Sequence, residues 1–121
     1  MQRANPHAVN EILQAAACDN IGMTLDAAHF FNGGGLLSEI EHLDSQRIFA
    51  FHLNDLDDLP KEAITDASRL YPGLGIIPLD EICSRMKQIG FDGPTSIEIF
   101  RPEYWQQDPQ LVVKEARRTA L

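Results

Sequence analysis

The sequence predicts an α/β fold built on three parallel strands, in the order α-β-α-β-α-β-α. Three observations predict it. Helical and extended patterns alternate along the chain, and such alternation implies a parallel sheet with right-handed crossovers. The extended segments are apolar on both faces, as strands buried under helices should be. Each extended segment also places one ionisable residue at or near its C-terminal end, where α/β enzymes keep their chemistry.

The elements follow in order. Asn5-Pro6 is a helix start, because Asn caps well and Pro suits the first turn. Val9, Ile12, Leu13 and Ala16 recur at helical spacing, which gives a helix over 6–18 that Asp19-Asn20 breaks. Residues 21–26 form a short strand. The Gly-rich stretch Asn32-Gly33-Gly34-Gly35 leads into a helix over 36–43 with Leu36, Leu37, Ile40 and Leu43 on one face. Arg47 to Leu53 (RIFAFHL) is the second strand. A long loop covers roughly 54–78, with one helical turn near 61–65. A helix over 79–89 ends at Gly90, a C′ residue. Thr95 to Phe100 (TSIEIF) is the third strand, and Pro102 bars its continuation. The last helix runs from 109 to 119 behind Asp108 as its cap.

Composition sets the outer limits. The chain has 121 residues, enough for one domain at most, and a hydrophobic fraction of 44% supports a real core. No apolar run approaches the ~18 residues that would span a bilayer. Residues 1–10 carry no apolar signal segment, so a cytoplasmic location is the default expectation. Ten Lys and Arg stand against 18 Asp and Glu, a net charge of −8. That field repels a phosphate backbone, so nucleic-acid binding is not expected, and neither is membrane association. Arg117-Arg118, the one basic pair noted, complements a helix C-terminus. Cys18 and Cys83 fit no zinc spacing and are expected as free, buried thiols.

Side chains alternate across a strand, which sorts the candidate site residues. Gly22, Thr24 and Asp26 share one face of the first strand. Ile48, Ala50, His52 and Asn54 oppose Phe49, Phe51 and Leu53 in the second. Ser96, Glu98 and Phe100 oppose Thr95, Ile97 and Ile99 in the third. Asp26, His52 and Glu98 therefore converge at one rim, each on the face with the smaller residues. An Asp, a His and a Glu form a mixed oxygen and nitrogen ligand set that suits Zn²⁺, Mn²⁺, Co²⁺ or Fe²⁺ better than Ca²⁺; Mg²⁺ stays among the candidates. Each residue also has a plainer reading. Asp26 can cap the next turn, and His52 can be a satisfied core histidine. Glu98, between Ile97 and Ile99, is the hardest to explain without a partner.

The runs Leu25-Asp26-Ala27-Ala28-His29-Phe30, His52-Leu53-Asn54-Asp55, Arg69-Leu70-Tyr71-Pro72-Gly73-Leu74-Gly75-Ile76-Ile77-Pro78-Leu79, Gly90-Phe91-Asp92-Gly93 and Ser96-Ile97-Glu98-Ile99-Phe100 together resemble the C-terminal half of the xylose-isomerase-like TIM barrels. That superfamily holds sugar-phosphate isomerases and epimerases, inosose isomerases and dehydratases, and AP endonucleases. The resemblance runs from about residue 8 to 118. It implies a partial (β/α)₈ barrel over 1–121, the last three βα units. It implies Asp26, His52 and Glu98 as metal ligands, Glu98 also in acid–base transfer, and His29 in contact with a substrate oxygen. In this family a further Glu ligand comes from an earlier strand, and no strand precedes Ile21 here. The loop that usually reads PGEG is Pro72-Gly73-Leu74-Gly75, without the acidic residue. Members that process nucleic acid carry a His just after an Asp in this region, whereas here Ala67-Ser68-Arg69 follow Asp66.

The remaining candidates keep two readings each. Arg69 binds a substrate phosphate or hydroxyl, or it pairs with Asp66. Asp55 is the acidic loop residue nearest the site and is a substrate-binding candidate, while Asp57 and Asp58 belong to a solvated loop. Gly33-Gly34-Gly35 cradles an anion or is a plain loop. His7 and His42 lie on helices without a catalytic role. Tyr104 and Trp105 wall the pocket or pack the last helix. The expected activity is divalent-metal-dependent isomerisation or epimerisation of a small sugar or polyol-derived carbonyl compound through an enediolate. The rivals are a metal-dependent dehydratase and a non-catalytic module. The expected partners are a small carbohydrate and either a second copy of the chain or a complementary N-terminal half.

Overall fold

The computed structural model describes residues 5–121. Part of the N-terminal stretch examined for a signal segment, residues 1–4, lies outside that range. The first helix, α1 (Pro6–Ala16), starts where Asn5 Oδ1 accepts the His7 amide at 2.9 Å, with Pro6 in its first turn. It closes at Ala17 in the left-handed region, two residues earlier than Asp19-Asn20 predicted. The sheet then begins with β1 (Met23–Asp26).

The next segment, to which the sequence assigns no element, bears out Asp26 as a cap. Residues 27–32 form a helix, α2 (Ala27–Asn32), because Asp26 caps it: Oδ1 accepts the His29 amide at 3.0 Å. Two alanines, the strongest helix formers, follow that cap. Gly34, at φ +80°, and Gly35, whose backbone lies against the Phe30 ring, end α2. The glycines thus terminate a helix, which removes the anion-cradle reading. The helix expected over 36–43 is a single turn, α3 (Leu37–Ile40). Beyond it, the amides of His42 and Leu43 bond three residues back, so the chain tightens and does not continue as α-helix.

Strand β2 (Ile48–His52) pairs in parallel with β1, and β5 (Thr95–Ser96) pairs in parallel with β2, which gives the sheet order β1-β2-β5. Between them lie a short antiparallel pair, β3 (Asp55–Leu56) with β4 (Arg69–Leu70), and the helix α4 (Leu79–Gln88). This hairpin organises what the sequence suggested was loop; the helical turn expected near 61–65 is a 3₁₀ turn at Lys61–Ala63, and a second 3₁₀ turn lies at Asp66–Ser68. After α4, Gly90 at φ +80° makes the expected left-handed cap, with the Phe91 amide reaching back to Met86 O at 3.0 Å. The chain ends in α5 (Pro102–Trp105) and α6 (Pro109–Ala120), the latter capped by Asp108.

Two corrections concern the strands. The third was expected over 95–100, yet its ladder stops at Ser96. The Glu98 carbonyl accepts from the side chains of Asn54 (3.2 Å) and Arg69 (3.3 Å) in place of a strand neighbour. In β2 the register slips by one residue, with Met23 opposite Ile48 but Thr24 opposite Ala50. The extra residue, Phe49, is 46% exposed, and its ring lies where a side chain on Gly22 would stand. Ile48 therefore packs in the core and not on the face it was assigned. Downstream of the slip, Ala50 and His52 keep the predicted face.

Leu25, Phe51 and Leu53 meet Ala28 and Phe30 of α2 and Ile82 and Met86 of α4 in one core, with Phe51 edge-on to Phe91 at 6.4 Å. The opposite face is open: Thr24 and Ser96 are exposed, and no residue of α6 is buried. Both cysteines are free, as expected, but exposed and not buried. Cys18 lies past the end of α1, and Cys83 faces outward next to inward-facing Ile82. Among the described residues no helix is long and apolar enough to cross a membrane.

The open face carries an expected outcome. Unpaired strand edges and uncovered apolar side chains such as Phe49 and Ile21 favour association. Sedimentation at micromolar concentration should show the chain larger than a monomer. A monomer with cooperative unfolding would count against it.

Candidate metal centre

The parallel register aligns the three strand ends. Asp26 is opposite His52, and His52 is opposite Ser96, two residues before Glu98. His52 Nδ1 lies 3.4 Å from Asp26 Oδ2 and 3.0 Å from Glu98 Oε2. One ligand atom from each of the three lies within 4.8 Å of the others. Ligands bound at ~2.1 Å around one ion stand roughly 3–4 Å apart, so a small closing movement brings this set onto a common cation. Two carboxylates and an imidazole also offer a divalent ion the charge and donor types it needs. The predicted ligands are thus brought together on one side of the sheet.

The environment of each differs. Asp26 is buried at 8% exposure, whereas the side chain of His52 is 25% and that of Glu98 38% exposed. Burial alone pushes the Asp26 carboxyl upward. The His29 amide, the Arg69 guanidinium and the Asn54 amide together outweigh burial and hold it below the usual 3.8. Asp26 therefore stays ionised, as a ligand must.

Asn54 is the residue whose role the sequence did not announce. It is fully buried, and its side chain joins all three strand ends. Its Oδ1 accepts the Ala28 amide at 2.9 Å, and its Nδ2 donates to Asp26 Oδ2 and to Glu98 O at 3.2 Å each. The available signal was its place two residues beyond His52 on the same face.

Arg69 shows the second of its two readings, and Asp55 neither faces the site nor is open to it. Arg69 does pair with Asp66, at 3.3 Å, but it is not a surface residue: it is 1% exposed. Its Nη1 contacts Asp26 Oδ2 at 2.7 Å and Glu98 Oε2 at 3.5 Å, and the guanidinium lies over the Phe100 ring. A substrate phosphate does not meet so deep a group. Asp55 is wholly buried and holds the loop instead of a substrate. Its Oδ1 accepts the amides of Leu56 and Ile77 at 2.9 Å each, and its Oδ2 accepts the Gly73 amide at 3.0 Å. Gly75 passes so close that any side chain there would overlap the Asp55 carboxylate. His29, half-buried one turn beyond Asp26, stays beside the centre. Of the two aromatic residues past the third strand, Tyr104 stacks on Tyr71 at 4.2 Å, and Trp105 is 67% exposed.

Comparison with known proteins identifies the family. A family model described as "Xylose isomerase-like TIM barrel" matches residues 2–120. The chain belongs to the xylose isomerase-like TIM barrel family. Among family members, the inosose isomerase of Halalkalibacterium halodurans is 40% identical over 92% of this chain and 39% of its own length. The inosose isomerase of Bacillus subtilis is 36% identical over 92% of this chain and 40% of its own. The chain thus spans about two fifths of the curated relatives it matches. The crystal structure of the IolI protein, which carries a bound zinc atom, superposes with a TM-score of 0.89 at 35% identity, over 94% of this chain and 41% of that one. A xylose isomerase domain protein from Alicyclobacillus acidocaldarius, at 23% identity and a TM-score of 0.79, shares the fold. The parallel sheet β1-β2-β5 is accordingly part of a TIM barrel.

Proposed function

We propose that these residues carry the metal-holding rim of an isomerase that acts on a polyhydroxylated ketone of the inosose type. The observation that supports this most is the convergence of Asp26, His52 and Glu98 in a chain 40% identical to an inosose isomerase. In this reading Asp26, His52 and Glu98 hold a divalent ion, with further ligation from outside these residues. Such an ion polarises a carbonyl oxygen and makes the neighbouring C–H more acidic. Glu98, the most open of the three, takes the proton from the hydroxyl-bearing carbon and returns it to the former carbonyl carbon, while the hydroxyl proton passes to the former carbonyl oxygen. His29 binds a substrate hydroxyl or carbonyl oxygen. Asn54, buried and bonded to both carboxylate-bearing strands, keeps Asp26 and Glu98 at a fixed separation.

The test is incubation of the protein with an inosose in D₂O, after metal removal and reconstitution. Metal-dependent isomerisation, with deuterium appearing beside the carbonyl, is the expected result. Loss of water from the substrate would replace this reading with a dehydratase, and no reaction at all would end it. His29→Ala should lower turnover at least tenfold while bound metal per chain stays constant. Equal loss of both would make His29 a ligand.

A further inference from the structure

The geometry points to Arg69 as an internal cation that occupies the charge position of the divalent ion when none is bound, so that metal enters by exchange with it. This inference rests on the metal-centre reading. Arg69 Nη1 contacts Asp26 Oδ2 at 2.7 Å and Glu98 Oε2 at 3.5 Å. These are the same two oxygens that face His52 Nδ1, at 3.4 and 3.0 Å. A guanidinium and a metal ion thus lay claim to one pair of oxygens.

Lone pairs make the conflict specific. Asp26 Oδ2 already accepts from Arg69 Nη1 and from Asn54 Nδ2, which fills its two acceptor sites. Ligation through that oxygen must displace one donor. Asn54 is anchored independently at the Ala28 amide and the Glu98 carbonyl. Arg69 also reaches the Glu98 carbonyl, at 3.3 Å, but unlike Asn54 it has a second acidic partner to move toward. Its Nη2 already reaches Asp66 at 3.3 Å, an acidic residue 57% exposed at the rim, and its buried Nε has no hydrogen-bond partner. A shift toward Asp66 keeps the guanidinium paired and leaves Asp26 and Glu98 to the incoming ion.

Two properties follow. Without metal, Arg69 neutralises the buried Asp26 and its more open neighbour Glu98, two carboxylates that would otherwise repel each other. With metal, its displacement subtracts from the observed affinity. A neutral residue of similar length should therefore make the metal-free protein less stable and its hold on the ion tighter.

Calorimetric titration with zinc and thermal unfolding in EDTA test both, on the wild type, R69M and R69K. R69M is expected to bind zinc at least tenfold tighter and to unfold at a lower temperature in EDTA. R69K, which keeps the charge, is expected close to the wild type in both. Unchanged or weaker zinc binding by a folded R69M overturns the exchange while leaving the metal centre intact; no zinc binding by the wild type ends both. Should R69M fail to fold, guanidinium ¹⁵N resonances of the wild type decide. A shift of the Arg69 signal that saturates with one equivalent of zinc supports exchange, and an unmoved signal overturns it.

Discussion

Asp26→Ala is expected to destabilise the metal-free protein by about 3 kcal/mol and to abolish zinc binding in the micromolar range. The stability loss arises mostly from what the carboxylate leaves behind. Arg69 is 1% exposed, and its shortest ionic contact, at 2.7 Å, is to Asp26. Removing one partner of a buried ion pair costs roughly 3–5 kcal/mol, because the survivor stays charged and poorly solvated. The remaining contacts to Asp66 and Glu98 place the value at the lower end. The cap of α2 is lost as well. Urea unfolding in EDTA measures the difference, and a loss under 1 kcal/mol would show that the guanidinium finds water. The effect should also depend on pH. The Asp26 carboxyl is depressed in the folded state, so its contribution is complete above the ordinary value of 3.8 and is lost as pH falls through the lower folded value. Wild type and variant should therefore converge in strong acid and differ fully at neutral pH.

Glu98→Gln is expected to lower turnover by about 10² to 10⁴, the usual worth of a positioned general base. The amide keeps the shape of the side chain and can still receive Arg69 through its oxygen, so the fold should survive. Metal affinity will fall too, since a neutral oxygen is a poorer ligand. Titrating metal to saturation separates the two roles. If turnover stays low at saturation, Glu98 moves a proton as well as holding the ion. Full recovery with excess metal would reduce it to a ligand.

Periodicity and caps revealed α1, α4 and α6, and apolar runs revealed β1 and β2. The shared side of Asp26, His52 and Glu98 was legible because alternation over a few residues fixes a face, although Glu98 lies two residues beyond the end of β5. What sequence could not supply were features made by contacts far apart in the chain. The third strand stops early, and Asn54 and Arg69, 44 and 29 residues away, take the Glu98 carbonyl. The slip at Phe49 moved Ile48 into the core, and no local pattern marks a one-residue register change. Arg69 reads as a polar residue at a loop end, and its burial becomes visible only when the 43-residue separation from Asp26 is closed. The helix α2 was readable in principle, since Asp26-Ala27-Ala28 carries both a cap and strong helix formers. The two readings of Asp26, cap and ligand, are both possible at once, since one oxygen caps a helix and the other faces the centre.

Asp55 gives the segment after β2 an unusual kinetic character. One buried carboxylate secures the amides of Gly73 and Ile77, 18 and 22 residues downstream, and the Leu56 carbonyl adds the Ile76 amide at 3.2 Å. Segments of this length beside a catalytic rim often act as lids that must close before reaction, and closing then limits the rate. Here the closure is already made and clamped to a core residue. Backbone amides at Gly73 and Ile77 should exchange with solvent as slowly as those of the sheet, since their opening requires a desolvated carboxylate to lose its donors. A ligand approaching the centre meets a standing wall on this side.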